Sequence, residues 1–292
     1  MLSSAWETEQ KKHNMTNLEN PNNAWMIPEV RKEITKFQDT QIEQEFSEAV
    51  EEHRIEEIYW VGGEPLMYEQ HWRYMKRIVE LGDGPRLYAR YNTNLSRIRY
   101  KGISLTEDIL PNIRDWQICA SLDGTGAIGE YIRTGLNYKQ FVDNFRTLLP
   151  MARNKRMMRL DYTLTLPGMF DIANMQKLAN ELDVEILAKV IFTFSPDIIM
   201  SPMALPRKIL NEMVDKRIAQ MPLGPALTDV LTQLKNRPNI EEQWPEEHER
   251  GLRKGKRRIL TLESIRPNSI CFRDIISTCP DTLAWWDGID AG

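Results

Sequence analysis

Five apolar, strand-like runs along this chain each end in small polar residues, and the interval between those endings is nearly constant. A repeated strand–helix unit of roughly thirty residues predicts parallel strands joined by helical crossovers. Polar strand ends in such folds collect on one face, where active sites are built. The sequence therefore predicts an enzyme with a pocket made by several loops. The predicted strands are residues 58–61, 87–91, 116–120, 158–162 and 188–192, and the polar endings are 62–65, 92–94, 121–124, 163–165 and 193–195.

Helical apolar patterns lie between these runs. The clearest begins after Asn137, which is placed as its N-cap, and another follows Asp171 in the same way. After residue 195 the strand rhythm stops, and residues 209–221 and 227–234 have helical patterns instead. We therefore expect a strand–helix domain over residues 1–195 and a smaller α-rich region over residues 196–292.

Composition restricts the class of protein. A hydrophobic content of 41% and a charged content of 27% are typical of a soluble globular protein. The net charge of -4 gives no drive toward nucleic acid or anionic membranes, and no run approaches the roughly 20 apolar residues of a membrane-spanning helix. No signal peptide is visible, and 3 cysteines are too few for a disulfide framework. We expect a cytoplasmic protein without a nucleic-acid or membrane partner.

The first polar strand ending is Gly62, Gly63, Glu64 and Pro65. Two glycines let the backbone turn sharply and approach a ligand closely, and the proline stiffens the exit from the turn. An ordinary strand-to-helix turn would carry the same residues, so the motif alone leaves both interpretations equally open. Its position at a strand end favours a ligand-binding loop.

The third ending supplies groups that suit a sugar and a carboxylate. Ser121 and Asp123 offer a hydroxyl and a carboxylate for sugar hydroxyls, and Arg133 offers a planar fork for a carboxylate. A lone arginine is more often a surface residue. The intervening glycines have dinucleotide-loop spacing, but no acidic residue closes a following strand, so we discount a dinucleotide site.

Taken with Thr93 and Asn94 at the second strand ending, these motifs resemble radical S-adenosylmethionine (SAM) enzymes, in the subgroup with a SPASM or shorter "twitch" C-terminal domain. The resemblance implies a partial (β/α)6 TIM-like barrel, here without its first strand, followed by a small twitch-like region. It also implies roles for individual residues in binding SAM. Gly62, Gly63, Glu64 and Pro65 would contact its amino group, Ser121 and Asp123 its ribose, Arg133 its carboxylate, and Thr163 and Ile191 its adenosyl pocket.

The implied activity is reductive cleavage of SAM to a 5′-deoxyadenosyl radical that abstracts hydrogen from a peptide-, protein- or carbohydrate-type substrate. A four-iron [4Fe-4S] cluster and an electron donor such as flavodoxin or ferredoxin belong to this activity in the family. The cofactor supplies the difficult chemistry while the protein positions it. A metal-free barrel lyase is a weaker alternative, since no lysine or glutamate pair stands out as a catalytic set.

One departure from the family pattern is large. The family's C-x3-C-x2-C cluster loop is missing, because Cys119, Cys271 and Cys279 lie far apart and have no such spacing. In relatives a Ser-Ser-x-Trp-like stretch follows that loop closely, and this chain opens with it at residues 3–6. We therefore expect an N-terminally truncated enzyme, inactive as given and with no metal ligands of its own. The alternative is a degenerate, non-catalytic SAM-like-ligand-binding or scaffold protein of the same fold.

Other features favour structural roles. We expect Cys119 to point into the core and the last two cysteines to be packed thiols. We expect the basic run over residues 253–258 to be a solvated face rather than a binding surface for phosphate or an acidic peptide. Trp285 and Trp286 are expected to anchor the C-terminal tail. Surface positions are predicted for all four histidines, which are His13, His53, His71 and His248.

Overall fold

The fold is seen in a computed structural model of the chain, which describes residues 12, 27–191, 198–220, 222–266 and 269–291. The fifth polar strand ending, at residues 193–195, lies outside the described residues, as do the opening motif at residues 3–6 and His13. Every residue predicted to contact SAM lies within them.

Five strands form one parallel sheet in the order β1-β2-β5-β6-β7, and β3 and β4 form a separate antiparallel pair. The predicted parallel α/β class is confirmed, and each predicted strand matches an observed one to within two residues at its start. The described strands show no barrel, so the finer TIM-like architecture stays a prediction. The strands are β1 (Glu57–Trp60), β2 (Tyr88–Thr93), β3 (Arg99–Tyr100), β4 (Ile103–Ser104), β5 (Asp115–Ser121), β6 (Met158–Leu164) and β7 (Ile186–Val190).

Helices occupy the segments between strands and most of the described chain after residue 198, as the α-rich prediction requires. No helix in the described part of the chain combines the length and hydrophobicity needed to cross a lipid bilayer. The helices are α1 (Pro28–Phe37), α2 (Glu43–Glu51), α3 (Glu69–Glu80), α4 (Gly126–Ile132), α5 (Tyr138–Leu148), α6 (Leu166–Met169), α7 (Ile172–Leu182), α8 (Arg207–Gln220), α9 (Pro225–Asn236), α10 (Ile240–Gln243), α11 (Pro245–Ile265), α12 (Phe272–Ile276) and α13 (Pro280–Gly288).

The chain divides into two compact units. Unit one contains Met1–Thr93 and Arg97–Ile118, and unit two contains Asn94–Ser96 and Cys119–Gly292. This division falls within β5, while the domain boundary expected near residue 196 stays a prediction.

Unit one has an aromatic core. Alternate residues of β2 are buried, as expected for a strand whose successive side chains point to opposite faces, and α3 presents one buried stripe to this core. His71 is fully buried on that stripe, so the surface position predicted for it is wrong. The side chain of His53 is half exposed, in agreement with its prediction.

Unit two contains the best-predicted helix. Asn137 caps α5 by accepting a hydrogen bond from the backbone N–H of Gln140 at 2.9 Å, which confirms its N-cap role. One face of α5 is buried. The predicted surface position of His248 is wrong, since it is buried with its Nε2 at 2.8 Å from the carbonyl oxygen of Ala204.

The basic run at residues 253–258 lies on α11, and part of it binds the chain's own C-terminal segment. The Nζ of Lys256 donates to the carbonyl oxygens of Trp286 and Ile289 at 2.7 and 2.8 Å, and Arg257 donates to that of Ala291. The predicted solvated face is therefore wrong for Lys256, whose contacts are partly buried, while Arg257 is exposed as predicted. Trp286 is buried against Phe272 at a ring distance of 4.6 Å, which supports its predicted anchoring role.

Candidate functional site

In unit one, the loop after β1 turns through two glycines in left-handed backbone conformations. Gly62 has a φ of 86° and Gly63 a φ of 58°, a region that residues with a Cβ enter only under strain. Glu64 then caps a short 3-10 turn that begins at Pro65, and its carboxylate accepts a hydrogen bond from the N–H of Leu66 at 3.2 Å. The sharp turn inferred from the two glycines is confirmed.

The structure brings Glu64 and Thr93 together. Thr93 ends β2 with a buried side chain, and its hydroxyl donates a hydrogen bond to Oε1 of Glu64. A hydroxyl and a backbone N–H thus hold this carboxylate in one orientation. The sequence placed both residues at strand ends but gave no sign that they bond to one another.

In unit two, Asp123 is the centre of a second group. One carboxylate oxygen, Oδ1, accepts a hydrogen bond from the backbone N–H of Thr163 at 3.0 Å, and the other, Oδ2, accepts from Nε of Arg133 at 2.7 Å. The side chain of Asp123 is 10% exposed and that of Arg133 is 26% exposed. Burial of this degree makes the pair a well-defined charged contact rather than a mobile surface ion pair.

Arg133 is held at a second point as well. Its Nη1 donates a hydrogen bond to Oδ1 of Asn94, while its Nη2 has no hydrogen-bond partner among the residues that the structure describes. The arginine follows directly after α4, and its backbone N–H bonds the carbonyl oxygen of Gly129 at 2.9 Å. Arg133 therefore presents the two N–H donors of Nη2 on an immobilised guanidinium.

Close backbone packing fixes the helix that carries Arg133. A Cβ on Gly129 would lie 2.1 Å from the carbonyl oxygen of Gly124, a distance that no side chain permits. The glycines whose spacing suggested a dinucleotide loop instead allow α4 to approach the end of β5.

The remaining predicted residues of unit two lie at strand ends. Ser121 ends β5 and Thr163 lies near the end of β6, both half-buried, and no described residue bonds either hydroxyl. Ile191 follows β7, and its N–H bonds the carbonyl oxygen of Leu164 at 3.1 Å. These polar and apolar surfaces fit the predicted ribose and adenosyl contacts, which stay predictions.

Asp171 has a role that the sequence interpretation missed. It occupies the predicted N-cap position of α7, but its side chain makes no capping bond to the backbone N–H groups of that helix. Its carboxylate instead accepts hydrogen bonds from the N–H and hydroxyl of Thr125 and from the amide of Asn174. Burial raises the pKa of Asp171 in spite of these donors. It thus ties the loop before α4 to the start of α7.

A second buried carboxylate was also missed. Asp161 lies in the middle of β6, and both of its oxygens accept hydrogen bonds from Nζ of Lys189 on β7, at 2.8 and 2.9 Å. The available signal was an aspartate between the apolar residues Leu160 and Tyr162 of a strand run.

Tyr131 attaches α4 to the C-terminal helices. Its hydroxyl donates to Oε1 of Glu263 at 2.8 Å, and the same oxygen accepts from the N–H of Phe272 at 2.6 Å. Burial, with the nearby Glu263 carboxylate, raises the pKa of Tyr131. The sequence motif that includes Arg133 is therefore fixed by contacts on α11 and α12.

The cysteines do not fit an iron–sulfur cluster. Among the residues that the structure describes, none of the three cysteines forms a disulfide and no group of three or more potential metal-binding side chains occurs. Cys119 lies on the half-buried face of β5, so the expectation that it points into the core is wrong. Cys271 and Cys279 occupy the N-cap positions of α12 and α13. A four-iron cluster needs clustered thiolates, which these positions do not supply.

Comparisons with known proteins add little. No family model matches the chain, and no curated protein matches it. Among solved structures, the structure of TYW1 with a lysine–pyruvate adduct bound matches with a TM-score of 0.38 and 15% identity. The match covers 70% of this chain and 64% of that chain, so this protein spans less than two thirds of its length. A likeness of this size carries no argument about activity.

Proposed function

We propose that unit two binds SAM and that Arg133 holds the carboxylate of its methionine part. The observation that carries this proposal is the arrangement of the Arg133 guanidinium. Asp123 and Asn94 fix it, while Nη2 bonds none of the residues that the structure describes. A charge-assisted bond to such a group is about twice as strong as a neutral one. An already ordered arginine also loses less side-chain entropy when a ligand binds.

The charge balance of the group supports a directed contact. Asp123 neutralises Arg133, so a ligand is held by oriented N–H donors more than by net positive charge. SAM carries both an ammonium and a carboxylate on its amino-acid part, and it suits a site without a large net charge. The half-buried hydroxyl of Ser121 supplies a neutral donor and acceptor for the ribose.

The described cysteines do not form a ligand set for an iron–sulfur cluster. Radical cleavage of SAM and hydrogen abstraction from a peptide- or carbohydrate-type substrate, with an electron from flavodoxin or ferredoxin, stay predictions of the family resemblance. The assignment of Gly62, Gly63, Glu64 and Pro65 to the SAM amino group also stays a prediction. Binding of SAM is the part of the function that the geometry of unit two supports.

Calorimetric titration tests the proposal. SAM and 5′-methylthioadenosine share the nucleoside, but only SAM has the amino-acid carboxylate. Arg133→Ala should weaken SAM binding by about ten- to a hundredfold, the equivalent of one lost hydrogen bond between charged groups, and should leave 5′-methylthioadenosine binding unchanged.

The matched control is Arg153→Ala, which removes an exposed arginine of the same unit and should leave both affinities unchanged. If the parent protein does not bind SAM, or if Arg133→Ala binds it as the parent does, the proposed function is wrong.

A further inference from the structure

We infer that Asp123 is a positioning residue for Arg133 and not a ribose ligand. This inference rests on the proposed function, because it concerns how the carboxylate-binding arginine is oriented. It replaces the role that the family resemblance implies for Asp123, and it leaves Ser121 as the ribose contact at the end of β5.

The first argument is how the carboxylate of Asp123 is used. Each oxygen already accepts one strong hydrogen bond, Oδ1 from the N–H of Thr163 and Oδ2 from Nε of Arg133. With only 10% of its side chain exposed, the residue offers little surface to a sugar hydroxyl. The hydroxyl of Ser121, in contrast, has no partner among the described residues and is half-buried.

The second argument is how the guanidinium of Arg133 is fixed. A planar fork is oriented only when at least two of its nitrogens are held, and here Nε is held by Asp123 and Nη1 by Asn94. If Asn94 were its only partner, the guanidinium plane of Arg133 could rotate about that single hydrogen bond. The direction in which Nη2 points therefore depends on the Oδ2 atom of Asp123.

The third argument is the rigidity of the supporting backbone. Thr163 donates to Asp123 through its main chain, so the carboxylate is anchored on β6. Gly129 packs against the carbonyl of Gly124 and fixes α4, from whose end Arg133 extends. Because both ends of the ion pair are anchored, loss of the Asp123 charge changes the orientation of Arg133 more than it changes the backbone.

The test is Asp123→Asn, followed by titration with SAM and with 5′-methylthioadenosine. An amide oxygen can accept from Thr163 or from Arg133, but its NH2 cannot accept from the other. SAM should therefore bind about tenfold more weakly, which corresponds to about 1.4 kcal/mol, while the affinity for 5′-methylthioadenosine should change less than twofold.

The double variant Asp123→Asn/Arg133→Ala separates positioning from direct contact. If Asp123 acts only through Arg133, Asp123→Asn should cause no further loss of SAM affinity once Arg133 is alanine. The matched charge control is Asp143→Asn, an exposed carboxylate on α5 that pairs with Lys139, and it should leave both affinities unchanged. Circular dichroism of each variant checks that the fold is retained.

The outcomes are distinct. Additive losses of SAM affinity in the double variant, or a parallel loss of 5′-methylthioadenosine binding in Asp123→Asn, would show a direct ribose contact and overturn the inference while the proposed function stands. A parent protein that does not bind SAM would overturn the proposed function and the inference with it.

Discussion

One buried side chain of unit one and two of unit two are stabilised in different ways. In unit one, His71 is 0% exposed, and burial lowers its pKa to about 3, so the imidazole is neutral. Its neighbours are aromatic, with the rings of Trp60 and Trp72 at 5.0 and 4.9 Å. In unit two, the buried polar groups Asp123 and Asp161 are each paired with a basic side chain from another segment.

The difference shows how the imidazole and the carboxylates each offset the free-energy cost of leaving water. A neutral imidazole needs a shaped cavity and one weak partner, here the hydroxyl of Tyr91 at 3.3 Å. The carboxylates of Asp123 and Asp161 each have a basic counterion, and the contact also fixes that counterion. Charge pairing thus gives unit two an oriented arginine, whereas the buried imidazole of unit one contributes to core packing.

The largest expected effect concerns the pH dependence of stability. The pKa of His71 is lowered in the folded protein. Below about pH 6.5 the unfolded chain therefore binds a proton on this imidazole that the folded protein does not bind. The contribution of His71 to the free energy of unfolding is complete above pH 6.5 and is lost as the pH falls toward 3. Between pH 7 and pH 4 the free energy of unfolding should fall by about 3 kcal/mol from His71.

Urea unfolding of the parent and of His71→Phe at the two pH values measures this effect. The variant should lack the His71 part of the fall, while Tyr91→Phe, which keeps the imidazole, should show it in full. An equal fall in the parent and in His71→Phe would show that His71 is not the group that titrates.

The next effect concerns the charge pair of unit two. Asp123→Ala removes the counterion of Arg133 and the acceptor of the Thr163 N–H, and should lower the free energy of unfolding by about 2–3 kcal/mol. Asp123→Ala combined with Arg133→Ala should cost about 1–2 kcal/mol less than the sum of the single changes. Chemical denaturation of the four proteins gives the coupling. Additive costs would show that the pair contributes no net interaction.

The smallest effect compares two threonines at strand ends. Thr93 donates to Glu64 through its hydroxyl, while Thr163 donates to Asp123 through its backbone N–H. Thr93→Val should therefore lower the free energy of unfolding by about 1 kcal/mol, and Thr163→Val should leave the Asp123 contact intact. Thermal melts of the two isosteric variants check the difference. A larger loss in Thr163→Val than in Thr93→Val would contradict these hydrogen-bond assignments.

The sequence predicted the elements of this fold better than it predicted the partners of their side chains. Apolar strand runs with polar endings and helical periodicity are local patterns, so β5, β6 and α5 with its Asn137 cap could be found directly. The bond between Arg133 and Asn94 joins residues 39 positions apart, and no periodicity encodes it.

Burial of individual polar residues was harder still to predict. His71 lies between Trp72 and a polar stretch, and only the folded arrangement of Trp60 and Tyr91 around it shows that it is buried. Lys256 was predicted to lie on a solvated face because a basic run usually does, yet the carbonyl oxygens at the end of α13 accept its hydrogen bonds. In both cases the deciding contacts come from segments far away in the sequence.

The central claim is that the guanidinium of Arg133 receives the carboxylate of SAM. The most direct measurement is the ¹H–¹⁵N NMR resonance of the arginine Nε groups, with the Arg133 signal assigned by its loss in Arg133→Lys. Addition of SAM should shift the Arg133 resonance, while 5′-methylthioadenosine should leave it in place, because that ligand has no carboxylate. If SAM binds and the Arg133 resonance does not move, the claim is contradicted.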